Sequence, residues 1–176
     1  MKSSLNRVFT ALVLAAVVLT GMVAPAAAEV ADVFNVAVTP GDNTASVNTT
    51  YEIYFDFTQD LSFADSPTED QDTIRVRFSN DFDLPATAPA AADILIEHPS
   101  ITGGGAAPAG VSQQVLANWT EYTLQVPEDM AASQGGATVT FELSADISNP
   151  EFGPACIRVS TSEEVLFVED CFDINL

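Results

Sequence analysis

The sequence predicts an all-β protein, an antiparallel β-sandwich of Greek-key type with about seven to ten strands. Three observations carry this expectation. Segment after segment alternates greasy and wet residues with the period of a half-buried strand. The clearest is Thr73 to Ser79, where Ile74, Val76 and Phe78 face one way and Thr73, Arg75, Arg77 and Ser79 the other. Clusters of Pro, Gly, Asn and Asp separate these segments at short intervals. Past residue 28, no stretch sustains the 3.6-residue period of a helix.

The elements follow in chain order. Residues 1–28 read as an export signal rather than as fold. Lys2 and Arg7 precede an apolar run from Val8 to Val23, and Ala26-Ala27-Ala28 offers a small-residue cleavage site, with Glu29 as the expected first residue of the exported chain. An uncleaved anchor, or a leader cut ahead of the apolar run, is the competing reading. Residues 29–176 are expected to form one domain, about 150 residues being enough to bury roughly 70% of the unfolded chain's surface. Val30 to Thr39 opens it with Phe34, Val36 and Val38 inward, closed by Pro40-Gly41-Asp42. Val47 to Phe57 turns Val47, Thr49, Tyr51, Ile53, Phe55 and Phe57 to one face. The acidic loop Gln59 to Asp72 leads into Thr73 to Ser79. Asp93 to Glu97 is a short strand, and Gly103 to Gly110 a flexible connection. Its glycine run lacks the Lys-Ser/Thr and helix start of a phosphate loop. Val111 to Ala117 and Thr120 to Val126 pair around Asn118-Trp119, and Pro127 to Gly136 has room for a helical turn. Ala137 to Ser144 alternates with Val139, Phe141 and Leu143 inward. Ala155 to Thr161 and Val165 to Leu176 finish the chain.

Charge narrows the partners. All 25 acids lie after residue 28, where Arg75, Arg77 and Arg158 are the cations and lysine is absent; three minus 25 gives a net charge of −22 for residues 29–176. Such a surface repels phosphate backbones, so no nucleic-acid partner is expected. It also repels itself, which a salt-rich medium would screen. Acids spread over the whole chain favour that explanation over dedicated Ca²⁺ binding.

Cys156 and Cys171 are the two cysteines of a chain that reads as exported, so a disulfide is expected. A tight turn at Glu163-Glu164 would set Cys156 opposite Cys171, Val159 opposite Val168, and Arg158 opposite Glu169. Asp170 then falls on the greasy face opposite Ile157, which suggests a bulge near Glu169-Asp170.

Six segments carry a family resemblance: Asp72 to Phe78, Phe82-Asp83-Leu84-Pro85, Ala92-Asp93-Ile94, Tyr122 to Pro127, Ile147-Ser148-Asn149-Pro150 and Val159-Ser160-Thr161-Ser162. Over roughly Val33 to Glu164 the chain resembles the immunoglobulin-like β-sandwich module repeated in bacterial and archaeal cell-surface and surface-layer-associated proteins. It departs in showing one copy, in having Cys156 where such modules usually hold an aromatic, and in showing no surface-layer anchoring domain. The resemblance implies a spacer, adhesion or lattice role and brings no catalytic residues.

The residues themselves point away from an enzyme. His98 is the one histidine, read as an exposed loop residue at a strand end, and no Gly-x-Ser-x-Gly elbow accompanies it. Clustered Cys or His for a transition metal are missing. Asp65, Glu69, Asp70 and Asp72 crowd one loop and are the candidate Ca²⁺ ligands, without the glycine and closing glutamate of an EF-hand. Asp81 and Asp83 lie about nine extended residues, roughly 30 Å, further on and cannot join them along their strand. Trp119, Tyr51, Tyr54 and Tyr122 are the aromatics that could stack on sugar, of which Tyr54 alone points outward by pattern. Asn48 and Asn118 head glycosylation sequons.

The expectation is therefore a secreted, non-enzymatic structural or adhesive sandwich of a cell envelope, extracellular matrix or filament, cell-surface associated and without a membrane anchor past the leader. A carbohydrate- or protein-binding module with an envelope or glycan partner is the alternative, and an extracellular hydrolase comes third. For the terminal strands, self-association by exchange of Glu29 to Thr39 between copies is the alternative to the favoured expectation, in which this segment folds back onto its own sheet.

Overall fold

Period-two alternation becomes ten strands in the computed structural model, which describes residues 33–63 and 71–176. One sheet orders β1 (Phe34–Pro40), β2 (Tyr51–Asp56), β8 (Ala137–Phe141), β4 (Ile94–Glu97) and β5 (Gly105–Ala106) from edge to edge. The other orders β10 (Val168–Asp173), β9 (Pro154–Thr161), β3 (Thr73–Ser79), β7 (Trp119–Gln125) and β6 (Gly110–Val115). All ladders are antiparallel, and short 3₁₀ turns at Ala91–Asp93, Ala132–Gln134 and Leu143–Ala145 are the helical content of the described residues. The predicted all-β sandwich is the fold.

The inner faces meet in one apolar core. Tyr51, Ile53, Phe55, Val139 and Phe141 from the first sheet bury against Ile74, Val76, Phe78, Tyr122, Leu124, Ile157 and Val159 from the second. Phe78 is its hub, with edge-on contacts to Tyr51 at 5.6 Å and to Phe141 at 5.3 Å across the sheets. Such contacts contribute about 0.5–1.5 kcal/mol each beyond the area they bury. One polar network is bonded within this core: the Tyr51 hydroxyl donates to Asn149 Oδ1 at 2.6 Å, while Asn149 Nδ2 donates to the carbonyls of Asp42 and Thr44 at 2.8 Å each.

Several expectations need correction. Phe34 does not face inward; it is 42% exposed, because Asn35 sits at φ 51° and the β1–β2 register slips between Phe34 and Ala37. That bulge rotates the strand's first residue outward. Leu143 is likewise exposed, since β8 ends at Phe141 and Leu143 already belongs to a 3₁₀ turn. Val47 to Thr50 stays outside the ladder, linked by an isolated bridge from Asn48 to Ser148. The Gly103-Gly104 turn, with both residues at positive φ, returns the chain so that Gly105–Ala106 pairs with β4.

The Cys156–Cys171 disulfide is present, and the three predicted register pairs hold. No bulge interrupts β10. Asp170 pairs with Ile157 in an unbroken ladder, and its Oδ2 accepts the Val38 amide at 2.8 Å. The β9–β10 connection is longer than a tight turn, because Glu164 folds in to full burial and its Oε1 accepts both the amide and the hydroxyl of Thr58 at 2.6 Å.

Candidate interaction face

The outer face of the β10-β9-β3-β7-β6 sheet gathers all three arginines that follow residue 28. Each reaches it by strand alternation: Arg75 and Arg77 lie between the buried Ile74, Val76 and Phe78 on β3, and Arg158 between Ile157 and Val159 on β9. Registry then aligns one rung across all five strands, Glu169–Arg158–Arg77–Glu121–Gln114. Arg77 Nε donates to Glu121 Oε2 at 2.7 Å and Arg158 Nε to Glu169 Oε2 at 2.6 Å. Two like charges therefore stand side by side at the centre of the rung, each with a carboxylate on its outer flank.

Aromatic rings lie over this charge. The Arg77 guanidinium sits 3.7 Å from the Phe167 ring centroid and Arg75 5.2 Å from it, while Arg158 lies 4.1 Å over Trp119. Cation–π contacts of this kind contribute about 0.5–2 kcal/mol each. They hold the arginine side chains against neighbouring rings on the outer face of the sheet. The ladder was half legible in the sequence: Arg158–Glu169 follows from the hairpin register. Trp119 and Phe167 did not stand out as arginine partners, because β3 meets β9 only through a long-range pairing.

The remaining sequence candidates scatter. Tyr51 and Tyr122 are fully buried; Tyr54 is 40% exposed and donates to Asp56 Oδ1 at 2.5 Å, a bond that holds its phenol above the usual tyrosine range. With Arg158 over Trp119, the candidate sugar-stacking aromatics form no common platform. Burial pushes the Tyr122 phenol up to about 12, and its hydroxyl has no partner among the described residues. Asp65, Glu69 and Asp70 lie outside the described residues. Asp72 is committed elsewhere: Oδ1 accepts the Ser162 hydroxyl at 2.7 Å and Oδ2 the Ser62 amide at 2.8 Å. Among the described residues, Cys156, Glu169 and Cys171 alone cluster at metal-ligand range, and both sulfurs are spent in the disulfide.

His98 is not an exposed loop residue. It is 2% exposed and stacks near Phe57 at 5.4 Å. Its Nδ1 accepts the Ser100 amide at 3.1 Å, so the proton sits on Nε2 and is donated to the Gly135 carbonyl at 3.1 Å. Burial lowers its pKa, and both ring nitrogens are satisfied in the neutral form. Asn48 Nδ2, the atom a glycan would take, is bonded to the Leu143 carbonyl at 3.2 Å and to Asp146 Oδ1 at 3.3 Å. Asn118 is exposed between β6 and β7. No helix among the described residues is long and apolar enough to cross a membrane.

No protein-family model and no curated protein matches the sequence. Among solved structures, the chain is similar to BslA, described as a bacterial hydrophobin, at 13% identity and TM-score 0.41, over 82% of this chain and 98% of that one. It is similar to the pilus 2b backbone protein of group B streptococcus at 13% identity and TM-score 0.36, over 78% of this chain and 56% of that one. A cohesin module from a Clostridium perfringens ATCC13124 family 33 glycoside hydrolase matches at 9% identity and TM-score 0.33, over 83% and 97%. At these scores the likenesses assign no role to any residue.

Proposed function

We propose that this chain is a secreted, non-enzymatic structural or adhesive β-sandwich of a cell envelope, matrix or filament, and that it works through the outer face of the β10-β9-β3-β7-β6 sheet. One observation carries the reading. In a chain of net charge −20, the cations after residue 28 converge on that single flat face and are braced there by Trp119 and Phe167. Arginine and aromatic side chains are the residues most enriched at the energetic centres of protein interfaces. Bracing limits the entropy lost when a partner docks. The Cys156–Cys171 bridge lies on the same face, one rung from Arg158 and Glu169, and suits an oxidising extracellular setting.

A carbohydrate-binding module would need exposed aromatic faces, and Tyr54 on the opposite sheet is a poor substitute for them. Electron microscopy and envelope-binding assays of the purified protein test the proposal. Ordered assemblies, or saturable binding to envelope material that an Arg77→Glu substitution abolishes, are the expected outcome. Selective binding on a glycan array with neither of those results would move the protein to the carbohydrate-binding class.

A further inference from the structure

Resting on that reading, we infer that the paired guanidiniums of Arg77 and Arg158 form a carboxylate-binding site whose occupant is the acidic outer face of a second copy of this chain, so that copies stack front to back. The site is built for an acceptor. Arg77 and Arg158 are direct cross-strand partners, and each is paired with a carboxylate on its outer flank only, Glu121 for the one and Glu169 for the other. Each reaches its own glutamate through Nε, and among the described residues neither makes another hydrogen bond. Their terminal nitrogens are therefore left for a further carboxylate, which guanidinium binds in a planar fork. Phe167 and Trp119 hold both groups flat while they wait.

The opposite face of the sandwich supplies what this one lacks. Alternation along β2 and β4 turns Glu52, Tyr54, Asp56 and Glu97 outward, among the small side chains of Ala37, Thr39, Thr138 and Thr140 on the neighbouring strands. Asp56 is occupied by Tyr54 and by Asn35. Glu52 and Glu97 are exposed and make no hydrogen bond among the described residues. The arginine face sets its three cations against Glu121, Glu169 and Asp173 and so balances to about zero, whereas the far face carries the three acids Glu52, Asp56 and Glu97 and no cation.

Geometry sets the form of the assembly. The two faces lie back to back, so docking one onto the other is a heterologous contact that does not close on itself, and it propagates as an open stack. Five strands spaced about 4.8 Å apart and rungs covering about 20 Å give the arginine face roughly 24 by 20 Å, and the far face tapers toward the short β4 and β5, so this area is an upper bound. A contact then buries on the order of 1,000 Å² in total, at the low end of specific interfaces. Stacking is therefore reversible and concentration-dependent.

Sedimentation velocity at about 0.1 M salt, over a wide range of protein concentration, tests this with two double variants. Arg77→Gln with Arg158→Gln removes the site; Glu52→Gln with Glu97→Gln removes the occupant and touches no hydrogen bond among the described residues. The expected result is a concentration-dependent ladder of oligomers for the parent chain, shifted at least tenfold to higher concentration in either variant. A mixture of the two variants should form 1:1 dimers and nothing longer, since each retains the face the other has lost. If the arginine variant fails to fold, the glutamate variant decides alone: assembly at parental concentrations overturns the inference. So does a parent chain that stays monomeric, or one that binds a polyuronate through Arg77 and Arg158 while staying monomeric. A monomer that still binds envelope material leaves the proposed function standing and removes only the stack.

Discussion

Two tyrosines in the same core show how little composition says about a side chain's worth. Tyr51 and Tyr122 are both wholly buried, yet the first gives its hydroxyl to Asn149 and the second finds no acceptor. Removing the Tyr51 hydroxyl would strand Asn149 Oδ1 inside the core, a loss of about 1–3 kcal/mol. Removing the Tyr122 hydroxyl strands nothing and relieves an unsatisfied donor, so Tyr122→Phe should leave stability unchanged or raise it by about 1 kcal/mol. Urea denaturation of the two Phe variants checks the contrast. Equal midpoints would mean that the Tyr51–Asn149–Asp42 network contributes nothing. In the sequence Asn149 stands out only within the Ile147-Ser148-Asn149-Pro150 segment of the family resemblance; its role as the polar hub beneath Tyr51 depends on a fold-back of about a hundred residues that no local pattern encodes.

At the scale of elements, the two sheets are stitched at one edge by Asp170. Its carboxylate accepts the Val38 amide and thereby satisfies an outward-facing donor of the edge strand β1. Unpaired edge donors are what invite strand exchange and aggregation. Asp170→Ala should cost about 1–2 kcal/mol and, more tellingly, raise amide exchange at Val38 and its β1 neighbours while leaving β3 protected. Unchanged protection at Val38 would show that the bond does not hold the edge. The same residue marks the limit of sequence reasoning. Alternation alone located Thr73–Ser79 to the residue, and the Cys156–Cys171 register followed from counting inward from one turn. Both are local, and both repeat every second residue. Asp170 on the greasy side could only be read as a fault, because its partner lies 132 residues away in another sheet. Phe34 and Leu143 went astray for a related reason: a positive-φ bulge and a 3₁₀ turn each break the period that predicted them. Of the interaction face, the arginines and one ion pair were legible. Their convergence with Trp119 and Phe167 was not, since it is created by the β3–β9 and β3–β7 pairings.

For the whole molecule the deciding quantity is charge. Residues 29–176 carry three cations and 25 acids, and two of those cations sit in ion pairs that are only partly buried. Salt acts on both populations in opposite directions. Screening the two pairs can cost at most about 1 kcal/mol each. Screening the excess acids relieves a repulsion summed over the whole surface, and the screening length falls from roughly 10 Å at 0.1 M to about 3 Å at 1 M salt. The excess outnumbers the pairs so heavily that the net effect must favour the folded state. The melting temperature should therefore rise by several degrees between 0.05 and 1 M NaCl, each kcal/mol gained being worth about 3–5 °C for a domain of this size. The titration belongs at protein concentrations where the chain is monomeric, because association would raise the melting temperature by mass action. A curve that stays flat or falls would contradict the screening account. Adding Ca²⁺ and Mg²⁺ at matched millimolar levels separates screening from coordination: equal increments mean the acids respond to ionic strength, whereas an increment with Ca²⁺ alone returns attention to Asp65, Glu69 and Asp70.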